Sequence, residues 1–490
     1  MLFRSAALQT ATVAGLGTAQ VAALGSGQVA SLTTAQVAAL TTDQVLAIET
    51  ADLRALGNAA IDALTTDQVA VLSATQVAAL TTTQVARLST GQVQALSTDQ
   101  VVALGTAQVG SLTTAQLAAL TTAQVAALET ADLRQITRAG LQAMGTDQVN
   151  ALTTTQFAAL TTVQVGGLTT AQVAALGTEL LTALTTEQVQ ALGSAQVAAM
   201  TTEQVAAFET ADLARLSTAA LRGLDATRFA ALGTDQIAAL TSAHAASLTS
   251  AQVGALTSGQ VAGLETADLA QITTAALQAM ATETVAALDS LQIAALTTVQ
   301  AAALTTAQVA ALGTDQIQAL ESADLRALGS AALQALQTGQ IEALTTAQVA
   351  ALATAQLRQL STAQVAALGT DQVVALTTLQ ASALTTAQVA GLTTEQVAAL
   401  ETADLAALGS AQVVALGTEQ LNALGTAQMA GLQLSQVAVL TTAQVAALAT
   451  ERLNALGTAA FAALTTAQAA ALTTDQVAAL ETADLAALGK

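Results

Sequence analysis

The 490-residue chain has no cysteine, proline, tryptophan or tyrosine, five phenylalanines and a single histidine. Each absence removes a class of function. Without cysteine there is no disulfide, thiolate metal site or thiol redox chemistry, and the compartment is left open. Aromatic residues at 1 % leave nothing for sugars to stack on. Positive charge is scarce too: 12 Lys and Arg stand against 33 Asp and Glu, a net charge of −21. Nucleic-acid binding needs clustered cations to displace phosphate counterions, and no cluster exists. The same sign disfavours anionic membrane surfaces. Mean hydropathy is +0.58, yet a polar residue interrupts every eight, so no 18-residue apolar span forms and membrane insertion is not expected.

What is present is one phrase, repeated. Cut into eights from Met1, the chain places Leu8, Leu16, Leu24, Leu32, Leu40 and Ile48 at position 8, and so on to Leu488. That makes 61 blocks, with Gly489 and Lys490 left over, and the frame never slips. A chain of this length would ordinarily form about three domains. No linker, charge run or composition shift marks a boundary, so the expectation is a single continuous array over 1–490. The opening MLFRSAAL offers Arg4 as the charged region of a signal peptide. However, Leu8 already holds the frame, and this end reads as repeat, open to extension in a longer protein.

The consensus is T/G-T-A/D-Q-V-A-A-L. Position 8 is always apolar, and position 5 is Val, Leu or Ile almost throughout, with Phe157, Phe229, Phe461 and Met429 as larger substitutes. These two positions are the expected core. Position 6 accepts Arg54, Asp62, Arg134, Arg222, Arg326, Glu342 and Arg358, so it must reach water. Position 7 is small nearly everywhere, which predicts close approach by a neighbour.

One continuous helix is excluded by arithmetic. Eight residues at about 100° overshoot two turns by about 80°, so an apolar stripe would wind around the rod. A short helix in each block makes positions 5 and 8 an i, i+3 pair on one face. In the preferred phase, Thr or Ser at position 2 is the N-cap, as in 55 of 61 blocks. Acids at position 3 (Asp43, Asp67, Asp99, Glu187) then favour the first turn. Sixteen of the 30 Gly directly follow a position-8 residue, Gly489 included, where a left-handed C′ residue is expected. The other phase makes Thr at position 1 the cap and Gln at position 4 its capping-box partner. The fold class expected is therefore an all-α solenoid of very short helices, one per octad. The alternative is a β-solenoid with three octads per coil, favoured by Thr and Val but opposed by Ala, Gln and Leu. In either case no octad stands alone, which is the defining condition of a solenoid.

A longer rhythm overlies the octads. A variant block, E-T/S-A-D-L, begins at 49, 129, 209, 265, 321, 401 and 481, at intervals of 80 or 56 residues. Position 4 of the next block is Ala60, Gly140, Ala220, Ala276 or Ala332, with Gln412 the exception. This coupling suggests that successive fourth positions feel one another. Asp52, Asp132 and Asp212 read as substitutes for a Gln–Gln contact, bonding nearby backbone. A cation site is the functional reading, but Ca²⁺ needs six to eight oxygens and each Asp stands far from its next equivalent. The two intervals differ by three octads, as if three octads form a unit.

No catalytic, cofactor-binding or metal site is expected. His244, in TSAHAASL, has no recognisable catalytic partner and reads as a surface or interface substitution. Phosphate loops, dinucleotide fingerprints and nucleophile elbows are missing. The phrases TTAQVAAL (33–40) and TTDQVAAL (473–480) resemble the octapeptide tracts of large bacterial surface or secreted proteins labelled haem-utilisation or adhesion proteins. That resemblance implies an extracellular or cell-surface repeat protein. His244 and the scattered Met residues form no haem ligand set. LSTDQVVAL (96–104) also resembles the first helix of DNA-binding effector repeats, but their roughly 34-residue unit and basic charge are missing. The expected function is structural, not enzymatic: a stalk, adhesin region or filament subunit that self-associates, with no small-molecule substrate. The alternative is a surface- or ice-binding module using aligned Thr rows.

Overall fold

The computed structural model describes residues 5–488. Leu2, Phe3 and Arg4 of the first block, with Gly489 and Lys490, lie outside the described residues. The described chain is helical, with a short 3₁₀ turn at Ser5–Ala7 followed by 60 α-helices of four to six residues, and no strand among the described residues. From the second block on, each octad contributes one helix. The octad-helix expectation is met, and the β-solenoid is set aside.

The chain divides into two compact units, Met1–Ser247 and Leu248–Lys490. The same rules build each. In the first, the helix Thr114–Ala119 packs on Arg138–Ala143, and in the second Thr298–Ala303 packs on Ser322–Ala327. Both pairs are three octads apart, and so are the other paired helices of each unit. A coil is thus three octads, the increment by which the two E-T/S-A-D-L intervals differ.

The phase within the octad is the second one. Helices begin at position 2, and position 1 is the N-cap. In the block 345–352, Thr345 is extended (φ −70°, ψ 156°) and its hydroxyl accepts the Gln348 N–H, while the helix runs Thr346–Ala351. The preference for Thr at position 2 as the cap is therefore corrected: position 2 is the first helical residue. The reading of Gly after position 8 falls with it. Gly313 is an extended N-cap (φ −72°, ψ 165°), not a left-handed C′ residue. Among the described residues only Gly457 has positive φ. The physical reason is that position 1 is extended ahead of the helix it caps, and at corners such as Leu352 (φ −58°, ψ 136°) followed by Ala353 (φ −68°, ψ 148°) position 8 is extended as well. Position 1 serves the following helix, and Thr, Gly and Ser are what an N-cap favours.

Positions 5 and 8 form the core, as expected. Val349 is 0 % exposed and Leu352 5 %. Position 6 is exposed at all seven charged sites named above. Position 7 is small because a helix of the preceding coil lies against it. A Cβ on Gly223 would sit 2.5 Å from the Ser194 carbonyl oxygen, and one on Gly431 2.2 Å from Thr402 Cγ2. Acids at position 3, such as Asp43 and Asp67, do stand in the first turn.

Candidate functional site: the coil corner

A helix of five or six residues leaves almost all of its backbone donors and acceptors without an internal partner. It is far too short to hold by itself. The molecule answers with position 4. Gln348 is 2 % exposed, and its amide works in two directions. Oε1 accepts the N–H of Thr345 at 2.8 Å, completing the capping box. Nε2 donates to the carbonyls of Leu320 (2.7 Å) and Ile317 (2.8 Å), at the end of a helix in the preceding coil. In the first unit Gln68 does the same with Thr65, Leu40 and Val37. Only a primary amide supplies both an acceptor and a pair of donors. This explains a residue for which the sequence alone suggests a capping role in one phase and a Gln–Gln contact.

Where Gln is absent, other chemistry reaches the same carbonyl. His244, 3 % exposed, accepts the Thr241 N–H at Nδ1 (3.3 Å), and its Nε2 meets Leu216 O at 2.8 Å. These two bonds require the neutral ring protonated at Nε2. The expectation of a surface or interface residue is corrected: His244 is an internal replacement for Gln. Thr284 Oγ1 donates to Leu256 O (3.1 Å), and the Arg228 side chain donates to Met200 O. Leu180 and Arg452 cannot accept a hydrogen bond, so the N–H groups of Gly177 and Ala449 need another acceptor. Each finds one in an Asn 27 residues earlier, Asn150 Oδ1 (3.1 Å) and Asn422 Oδ1 (2.7 Å). Position 6, read as merely exposed, also ties coils together: Gln142, Gln278 and Asn422 donate to carbonyls 25 residues ahead. No spacing in the sequence alone could have found these pairs, because their separation depends on the coil.

The E-T/S-A-D-L blocks depart from this scheme. Asp52 accepts from the Ser26 hydroxyl at 2.6 Å and Asp484 from Thr458 at 2.7 Å, both partners at position 2 of the preceding coil. The predicted bond to nearby backbone is thus replaced by a hydroxyl, and the Gln usual at this position binds backbone carbonyls, as Gln348 does. Burial, reinforced by Glu129 and Glu209, pushes the Asp132 and Asp212 carboxyls above the usual carboxylate range. One exception in the following block has a clear cause. Gly140 stands where its counterparts are Ala because a Cβ there would lie 2.5 Å from Leu117 Cδ1, where the matching residue is usually Val. Position 4 meets the preceding coil, and the structure gives no physical account of the coupling between successive fourth positions. Among the described residues no three His, Asp or Glu converge as metal ligands. Open surface notches recur at corners with Gly at position 1, such as that lined by Asn150, Thr153, Gly177 and Glu179.

A repeat-family profile, the ALTTAQ repeat, matches fifteen segments between residues 6 and 482 that together cover most of the chain. The chain belongs to the ALTTAQ repeat family. No match was found among curated proteins. No described helix of the ALTTAQ array is long and apolar enough to cross a membrane.

Proposed function

We propose that this ALTTAQ array is a non-catalytic structural element of the cell surface or extracellular space, a stalk, adhesin region or filament subunit. One observation carries the reading: the buried polar side chains are spent on joining one coil to the next. Gln348, Gln68 and His244 each bind the coil before them. The likeness of TTAQVAAL to bacterial surface-protein tracts supports the location, and the acidic surface suits an exposed, soluble spacer.

The partner proposed is a second copy of the chain, docked end to end. The support is the complementarity of the coils: Gln348 and Gln68 each hold the coil before them, so one octad coil is built to seat on another. Such a contact is heterologous and tends toward open filaments. Sedimentation and negative-stain imaging test this. Concentration-dependent fibres are the expected result. A monodisperse monomer at tens of micromolar would overturn it. The Thr-row reading now rests on position 2 alone, since position-1 hydroxyls such as that of Thr345 serve the caps; freezing-point hysteresis tests it.

A further inference from the structure

We infer that three of the E-T/S-A-D-L blocks, those of Asp132, Asp324 and Asp404, are acid-set latches, steps of the stack that are held without an amide clamp at neutral pH and tighten when the buried Asp takes up a proton. Asp132, Asp324 and Asp404 stand at position 4, the clamp position, and are 3 %, 1 % and 1 % exposed. Each keeps a buried Oδ2 with no hydrogen-bond partner. Asp is one methylene shorter than Gln, and as a carboxylate it has no donor. By register, a Gln in place of Asp324 would clamp the Leu296 and Ile293 carbonyls, as Gln348 clamps Leu320 and Ile317. A proton on Oδ2 removes a buried charge and supplies an O–H donor on that side.

No cation offsets the charge from the packed elements. Asp324 faces Thr298–Ala303 below and Thr346–Ala351 above, and neither carries a titratable group. The same holds for Asp404 between Thr378–Ala383 and Thr426–Ala430, and for Asp132 between Thr106–Gly110 and Thr154–Ala158. Within the blocks themselves stand Glu321, Glu401 and Glu129, with Arg326 and Arg134 exposed at position 6. Burial raises the three carboxyls above their ordinary range; the Thr298 and Thr378 hydroxyls partly offset this at Asp324 and Asp404, and the neighbouring Glu adds to it. An acid whose folded pKa lies above its unfolded one contributes stability that is fully present below the unfolded value. That stability is lost as pH rises through the folded value.

The test uses the full chain with Asp324→Asn and Asp404→Asn, which give a neutral side chain with a donor at every pH. Thermal melts and amide exchange over 321–328 and 401–408 are compared at pH 7 and at about pH 4, the ordinary Asp value. The variant should melt higher and exchange several-fold more slowly at pH 7, and the gap should close in acid. Asp315→Asn, at an exposed position 3, should show no such gain. A gap independent of pH, or none, would overturn the inference. So would a pH 7 gap that closes on adding calcium or potassium chloride, since a cation would then fill the place. Carboxyl ¹³C titration of the unaltered chain gives a second reading. The three Asp should titrate above the exposed acids, and titration together with them would refute the latch.

Discussion

The blocks 345–352 and 321–328 lie three octads apart, one stacked on the other, and bury their cores alike: Val349 and Leu325 are both 0 % exposed. They differ in how the corner is held. Gln348 satisfies its own cap N–H and two carbonyls of the preceding coil. Glu321 caps with no side-chain bond, and Asp324 leaves a buried oxygen unpartnered. Apolar burial thus sets the frame of the stack, while in most octads a single side-chain amide satisfies the helix ends. A solenoid can therefore keep its core unchanged and still vary its joints one at a time.

Both joints depend on every block meeting its neighbours in frame. Deleting 305–308 should break this most severely, since the misphased junction loses a core pair worth roughly 3–6 kcal/mol. Deleting the whole octad 305–312 should be tolerated. Equal losses in thermal melts would count against the octad as the unit. Next in size, Gln348→Glu should convert the clamped joint into an acceptor-only one. It keeps a carbonyl-like oxygen for Thr345 but buries an unpaired charge, at a cost of about 3–5 kcal/mol at pH 7. Part of this should return in acid, because burial raises the folded pKa and the neutral form is then favoured. A pH-independent loss in urea melts would show that the amide donor is not what matters.

A smaller effect separates the two hydroxyls. Thr345→Ala should cost about 0.5–2 kcal/mol through the lost cap, and Thr346→Ala clearly less. The opposite order in denaturant melts would restore position 2 as the cap. The smallest expected effect is a gain. Gly313 is an extended N-cap, and a Cβ there would meet only the Gln316 Oε1 at 3.8 Å. Gly313→Thr should therefore stabilise by about 0.5–1 kcal/mol, through the added cap and a less flexible unfolded chain. A loss of stability would mean that the corner needs glycine after all.

The octad, the core positions 5 and 8, the solvent-facing position 6 and the small position 7 are all legible in the sequence. Each of these follows from residue type repeated at a fixed spacing, and hydrophobic periodicity survives without knowledge of what packs against it. Even the three-octad unit was visible, in the difference between intervals of 80 and 56 residues. The helix phase was not settled there. Thr is abundant at both positions 1 and 2, and Gly suits an N-cap as well as a helix end, so composition could not choose between them. The structure settles it, with position 1 extended and capping the helix that follows, as at Thr345. It also decides what His244, Asn150 and Asp324 do: the partners of His244 and Asn150 lie 28 and 27 residues away on the neighbouring coil, and the Asp324 Oδ2 finds none. A hydrogen bond across coils depends on which backbone end the stacking brings within reach, and no local pattern encodes that distance.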